Sequence, residues 1–293
     1  SILILFPFLR QLEALTGKLI PEKTSEKYNE LTAGIERLEE RFLVHPALAI
    51  EQCRLTINAM AMRSQDNLVV ALELIKNFSQ KGFQQVVDME DAVDQYEDHL
   101  GTYLVKFTGR ELSTAQNEEV SKFLHTISDF ERISDHAVNI LSSAEEMEQK
   151  GLTFSGSALN ELAILTSAIR EILSLSLKSF SSQDVALAQQ VEPLEQVIDT
   201  LKEQMRTRHI LRMQQGQCSI EAGFVLSDLL TDLERTSDHC SNIAGCVIDA
   251  SQHNLNLHET LREAKSANSS FQSTFHHYAE KYQLPRPASG QTL

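Results

Sequence analysis

Four pairs of carboxylates at four-residue spacing are the side chains of this sequence best suited to chemistry: Glu90 with Asp94, Glu131 with Asp135, Glu195 with Asp199, and Glu234 with Asp238. Residues four apart on a helix share a face, with β-carbons about 6 Å apart, so each pair would present its oxygen donors on one stripe. A single pair carries little weight. With 41 acidic residues in 293, such pairs arise about six times by chance, and their ordinary reading is a solvated face with a neighbouring Lys or Arg.

An internal repeat changes that weighting. The segment Asp129-Phe-Glu-Arg-Ile-Ser-Asp-His-Ala-Val-Asn-Ile140 returns as Asp232-Leu-Glu-Arg-Thr-Ser-Asp-His-Cys-Ser-Asn-Ile243, with eight of twelve positions identical at an offset of 103. One helix earlier, Glu90 and Asp94 correspond to Glu195 and Asp199 at an offset of 105. Two nearly equal offsets from two different helices mean that a unit of about 100 residues is duplicated. Consecutive antiparallel helices must pack, so a stripe from each is expected to converge and gather four carboxylates in each half. Such a cluster is unfavourable without a cation. Oxygen donors suit magnesium, calcium, manganese or iron, and thiolate-preferring metals are disfavoured.

The neighbours of these pairs have several readings. His136 and His239 could add a nitrogen ligand or cover the edge of the site, the second being favoured. Arg132 and Arg235 read as local salt-bridge partners, and Asn139 and Asn242 extend each stripe by one turn. The Glu-x-x-His spacing of ferritin-like di-iron bundles is absent from the repeated motif. No glycine-rich phosphate loop, nucleophile elbow or HExxH zinc motif occurs. The expectation is a protein that binds rather than catalyses.

The elements that hold these residues follow from composition. There are 11 Gly and 6 Pro, and between Ala47 and Leu284 only Pro193 interrupts the chain. Sandwiches, barrels and wound sheets need a turn every ten residues or so, and turns draw on Gly and Pro. The fold class is therefore all-α. Apolar spacing predicts a short helix over 36–42, then three long helices: one from Ala47 to Phe78, one from about Phe83 to Phe107, and one from Ser113 to about Lys150. After Gly151–Gly156 the plan repeats. Helices are expected from Ser157 to Phe180, from Gln183 to Met213 with a bend at Pro193, and from Ile220 to Ala250, then a last one over 258–282. The formal net charge of −15 argues against nucleic acid and anionic lipid as general ligands, and points to cations or basic partners. Cys53, Cys218, Cys240 and Cys246 form no CxxC pair and read as free thiols. The opening run Ile2–Leu9 falls short of the about 20 apolar residues of a membrane span. It reads equally as the end of a membrane helix or as an apolar arm packed on the domain.

The two motif copies, Phe130–Ile140 and Leu233–Ile243, resemble the duplicated signature of the PhoU family. The resemblance implies two tandem PhoU-like three-helix bundles, here 47–150 and 151–250, flanked by 1–20, a linker at 21–46 and a C-terminal helix and tail at 251–293. It implies that Glu131, Asp135, Glu234 and Asp238, with Glu90, Asp94, Glu195 and Asp199, bind multinuclear metal clusters, with iron, manganese, zinc or magnesium as candidates. It implies a role in regulating phosphate uptake. Arg41–Glu51 is similar to the sequence that opens the PhoU-like tail of bacterial sodium-phosphate cotransporter family proteins. That similarity favours the membrane-helix reading of 1–20, with the transmembrane portion of the transporter as partner and the cytoplasmic face of the inner membrane as location. A homo-oligomer is compatible with it. Two alternatives stay open: a metal-free acidic module that meets a basic partner, and a soluble PhoU-type regulator of a separate transporter. Thr236 and Ser237 depart from the usual signature, and Lys202 stands where the first repeat has Glu97, which points to a second site poorer in ligands.

Overall fold

The structure, a computed structural model, describes residues 30–107, 110–252 and 269–285, and the described residues contain helices and no strand. Two short 3-10 turns, Ile35–Arg37 and Glu40–Val44, take the place of the short helix expected near 36–42. Pro46 then opens α1 (Pro46–Leu74) as its first residue, where its missing N–H costs nothing. Helix α2 spans Gln80–Val105 and α3 spans Thr114–Lys150. Helix α1 stops at Leu74, short of Phe78, because the next helix is already being set up. Ser79 sits in extended backbone and its hydroxyl accepts from the Gly82 N–H.

Each later boundary has a local cause. Ser113 and Gln116 form a reciprocal capping box at the start of α3, and Gly151, at φ 62°, ends it in the left-handed region. Ser155 caps α4 (Gly156–Ser182). The Asp184 carboxylate then accepts from Ala186 and Leu187 N–H to start α5, a single turn over Val185–Ala188. Helix α6 covers Val191–Gln214 and α7 covers Ile220–Gln252. The bend expected at Pro193 is instead a break at Gln189 and Gln190, between α5 and α6. Pro193 lies in the first turn of α6, where the backbone N–H has no intrahelical partner to lose. Of the last expected helix, Ser269–Lys281 is α8, and residues 258–268 lie outside the described residues. Residues 1–20, which bear the membrane-helix expectation, lie outside them as well. No described helix is long and apolar enough to cross a membrane.

Helices α1–α3 form one bundle and α4, α6 and α7 a second, with α3 and α7 packed along each other. One continuous apolar core therefore runs through both repeats. Phe130 of α3 and Phe180 of α4 meet edge-to-face across the boundary, with ring centroids 5.6 Å apart. Helix α8 lies on α6, where Tyr278 and Tyr282 are buried and Lys281 pairs with Glu171 at 2.7 Å. All four cysteines are free thiols.

Candidate metal centre

In the first repeat, packing of α2 on α3 brings the predicted carboxylates into one neighbourhood, and their electrostatics show it. The Glu131 carboxyl is pushed up to about 7, by burial first and then by the charge of Asp135. Burial raises Glu90 to about 6, with Asp94, Asp91 and Asp135 adding to it. Asp94 is raised by burial and by Asp135. Glu97, one more turn along α2, is raised by burial and by Asp98, Asp94 and Asp135. Its place in the cluster was legible from its position seven residues after Glu90, on the same face. Arg132 offers limited relief. Its side chain is 58% exposed, at 3.5 Å from Glu131 and 3.4 Å from Asp135, so it sits at the rim in solvent.

In the second repeat Asp199 of α6 lies near Glu234 and Asp238 of α7, but with a different balance. Lys202 Nζ lies 2.9 Å from Glu234 Oε1, and both side chains are about four-fifths buried. Asp238 is raised by burial and by the charges of Glu234 and Asp199, while His239 and Lys202 pull it down. Glu195 is buried on α6. Arg235 makes no ion pair among the described residues.

The donors differ in how well they fit a metal. The first repeat offers only carboxylate oxygens that raise one another's pKa, which suits a hard cation such as magnesium, manganese or iron. Glu131 and Asp135 are in side-chain hydrogen-bond contact. Among the described residues no three His, Cys, Asp or Glu side chains converge closely enough to hold an ion. The second repeat fits a metal less well, because an ammonium group is already paired with one of its carboxylates, Glu234.

The histidines and asparagines of the motif do something the spacing did not reveal. Asp232 Oδ1 accepts from His136 Nδ1 at 2.9 Å and from Asn139 Nδ2 at 3.1 Å. Reciprocally, Asp129 Oδ1 accepts from His239 Nδ1 at 2.9 Å and from Asn242 Nδ2 at 3.2 Å. An ionised carboxylate only accepts, so Nδ1 carries the hydrogen in both rings. The two imidazoles face each other with centroids 5.5 Å apart. The Nδ1 atoms of both histidines and the amide groups of both asparagines are thus engaged across the repeats rather than within their own carboxylate stripes. These residues tie the repeats together. At 100° per residue, Asp129 and His136 share a face, and Glu131 and Asp135 point about half a turn away. The motif thus uses one face of α3 and of α7 for the join and the other for the carboxylates. Asp129 and Asp232 escaped prediction as functional residues, although their place at the head of both copies was a signal in plain view.

Comparison with known proteins agrees with the duplicated helical fold. The model of the PhoU domain family matches residues 57–144 and 162–247, one stretch per repeat and together more than half of the chain. The chain is 24% identical over 213 residues to a phosphate-specific transport system accessory protein PhoU homolog of Thermotoga maritima, covering 72% of this chain and 90% of the relative. A relative of the same description in Deinococcus radiodurans is 23% identical over 181 residues, 60% of this chain and 82% of that one. Among solved structures, PhoU from Pseudomonas aeruginosa superposes with a TM-score of 0.66 at 21% identity, over 70% of this chain and 97% of the other. The phosphate transport system regulatory protein PhoU from Streptococcus pneumoniae gives 0.63 at 15% identity, over 72% and 99%. With the motif, the duplicated bundle and a family match in each half, the chain belongs to the PhoU domain family.

Proposed function

We propose that this protein is a PhoU-type regulator of phosphate transport, which acts by binding a transporter rather than by catalysis. The observation that carries the reading is the duplicated motif, folded as two joined bundles and matched by the PhoU family model in both halves. Relatives named as accessory proteins of a phosphate-specific transport system support it. A hard cation at the first-repeat cluster is part of the proposal. Glu90, Asp94, Glu131 and Asp135, joined by Glu97, would hold it, and the cation would supply positive charge that offsets their repulsion and braces α2 against α3. The working location is the cytoplasmic face of the membrane, beside the transporter.

A second reading places the same bundle as the tail of a sodium-phosphate cotransporter chain. It rests on the apolar run Ile2–Leu9 and on the similarity of Arg41–Glu51, and the first of these lies outside the described residues. The accessory-protein relatives favour a regulator of a separate transporter.

Phosphate uptake tests the proposal. Cells lacking this protein should take up labelled phosphate without normal restraint or induction. The wild type should restore control, and Glu131→Ala/Asp135→Ala should not. Uptake unchanged by deletion would remove the regulatory reading.

A further inference from the structure

We propose that Lys202 is a built-in counter-ion that takes the place of a metal in the second repeat, leaving the first repeat as the cation-responsive half of the protein. The inference rests on the cation reading of the first repeat given above, and it concerns what the second repeat does instead. At the 105-residue offset Lys202 occupies the position of Glu97, so one exchange moves the local charge by two units. In the first repeat, Glu97 is a fifth carboxylate that interacts with Asp94 and Asp135. In the second, the ammonium group approaches Glu234 to 2.9 Å, and its side chain is only 19% exposed. It is therefore inside the cluster and not at the rim, where Arg132 stands in the first repeat at 58% exposure.

The physical consequence is a difference in kind. A dissolved cation must lose hydration and translational freedom to join carboxylates, and its occupancy follows its concentration. A lysine on α6 is delivered by the fold, present at unit occupancy, and compact enough to sit among carboxylates. It spans α6 to α7, the gap that a cation would span between α2 and α3. It also repels an incoming cation at close range in a partly desolvated site. The second bundle is thus held by its own charge at any metal concentration. Changes in cation supply act on the first bundle and reach the second through the His136–Asp232 and His239–Asp129 join.

Elemental analysis and Mn2+ titration of the full chain test this. Wild type should bind Mn2+ through Glu131 and Asp135. Glu131→Ala/Asp135→Ala should lose affinity beyond the ~10–100-fold expected of an outer-shell change. Glu234→Ala/Asp238→Ala should leave both stoichiometry and affinity within about twofold. Lys202→Glu should add a second set of ions, which disappears again when Glu234→Ala/Asp238→Ala is combined with it. If Lys202→Glu is unfolded without metal, recovery of its helical circular dichroism on adding Mn2+ is the same result, and failure to recover overturns the proposal. A wild-type stoichiometry that falls by half in Glu234→Ala/Asp238→Ala also overturns it. Uptake by Lys202→Glu but not by wild type would refute the first-repeat cation reading while sustaining Lys202 as the counter-ion. Uptake by neither refutes both.

Discussion

The two repeats keep the same join and differ in how their carboxylates are neutralised. His136 and His239 each reach the opposite aspartate at 2.9 Å, and Asn139 and Asn242 do so at 3.1 and 3.2 Å. On the other face of the same helices, the first repeat leaves Glu131 pushed up to about 7 by burial and Asp135, while the second answers Glu234 with Lys202. The difference has a structural logic. Every contact of the join uses one residue from each repeat, so neither copy can change its part alone without orphaning a polar group in the other. Each carboxylate cluster lies within one repeat, so it is free to diverge.

Four expected outcomes would break or sharpen that comparison. The largest concerns the shared core. Phe130→Ala removes a fully buried ring that packs on Phe180 across the repeats, and should cost about 3–5 kcal/mol in urea unfolding, with both repeats melting together. Separate transitions for the two halves would show that the core does not couple them.

The next effect is the join. His136→Ala and His239→Ala each leave a part-buried aspartate without its ring partner, at a cost of about 1–3 kcal/mol. The two costs should agree within about 1 kcal/mol, and the double variant should lose both contacts. A large disparity would mean that one half of the join dominates.

The charged partners should behave unequally. Lys202→Met uncovers Glu234 inside the second cluster and should destabilise the protein by about 1–2 kcal/mol, less than a fully buried pair because a fifth of each side chain is exposed. Arg132→Met, at the rim of the first cluster, should cost about 0–0.5 kcal/mol. Equal losses, measured by denaturant midpoint, would erase the distinction between interior and rim cations.

The smallest effect is in pH. The Glu131 carboxyl titrates near 7 in the folded protein, against an ordinary 4.5 in the unfolded chain. Folding therefore favours its protonated form. The stability it contributes is fully present below about 4.5 and is lost as pH rises through about 7. In chelator-treated protein, stability should fall over that interval by under about 1 kcal/mol after solvent screening. Glu131→Gln should flatten that part of the profile. A profile unchanged by Glu131→Gln would show that other groups set it.

Much of this could be read from the chain. Few Gly and Pro, the apolar spacing, and the caps at Ser79, Ser113 and Ser155 act over a few residues, so they specify helices wherever the chain goes. The offsets near 103 and 105 revealed the duplication and placed Lys202 opposite Glu97, since a repeat carries its own alignment. Local errors came from local ambiguity. Pro193 bends a helix interior but is at home in a first turn, and only the capping by Asp184 and the break before Val191 decide between the two. What lay beyond the sequence was the direction of the motif's two faces. Helical spacing says that Asp129 and His136 share a side, and it cannot say that the opposite repeat faces that side, because the packing of α3 on α7 joins residues about a hundred positions apart. Residue types determined that a duplicated, acidic, all-helical protein would form. The tertiary structure decided how strongly the charges act, setting Lys202 2.9 Å from Glu234 inside the second cluster and leaving Arg132 at the rim of the first, because burial and distance between helices set the strength of a charge.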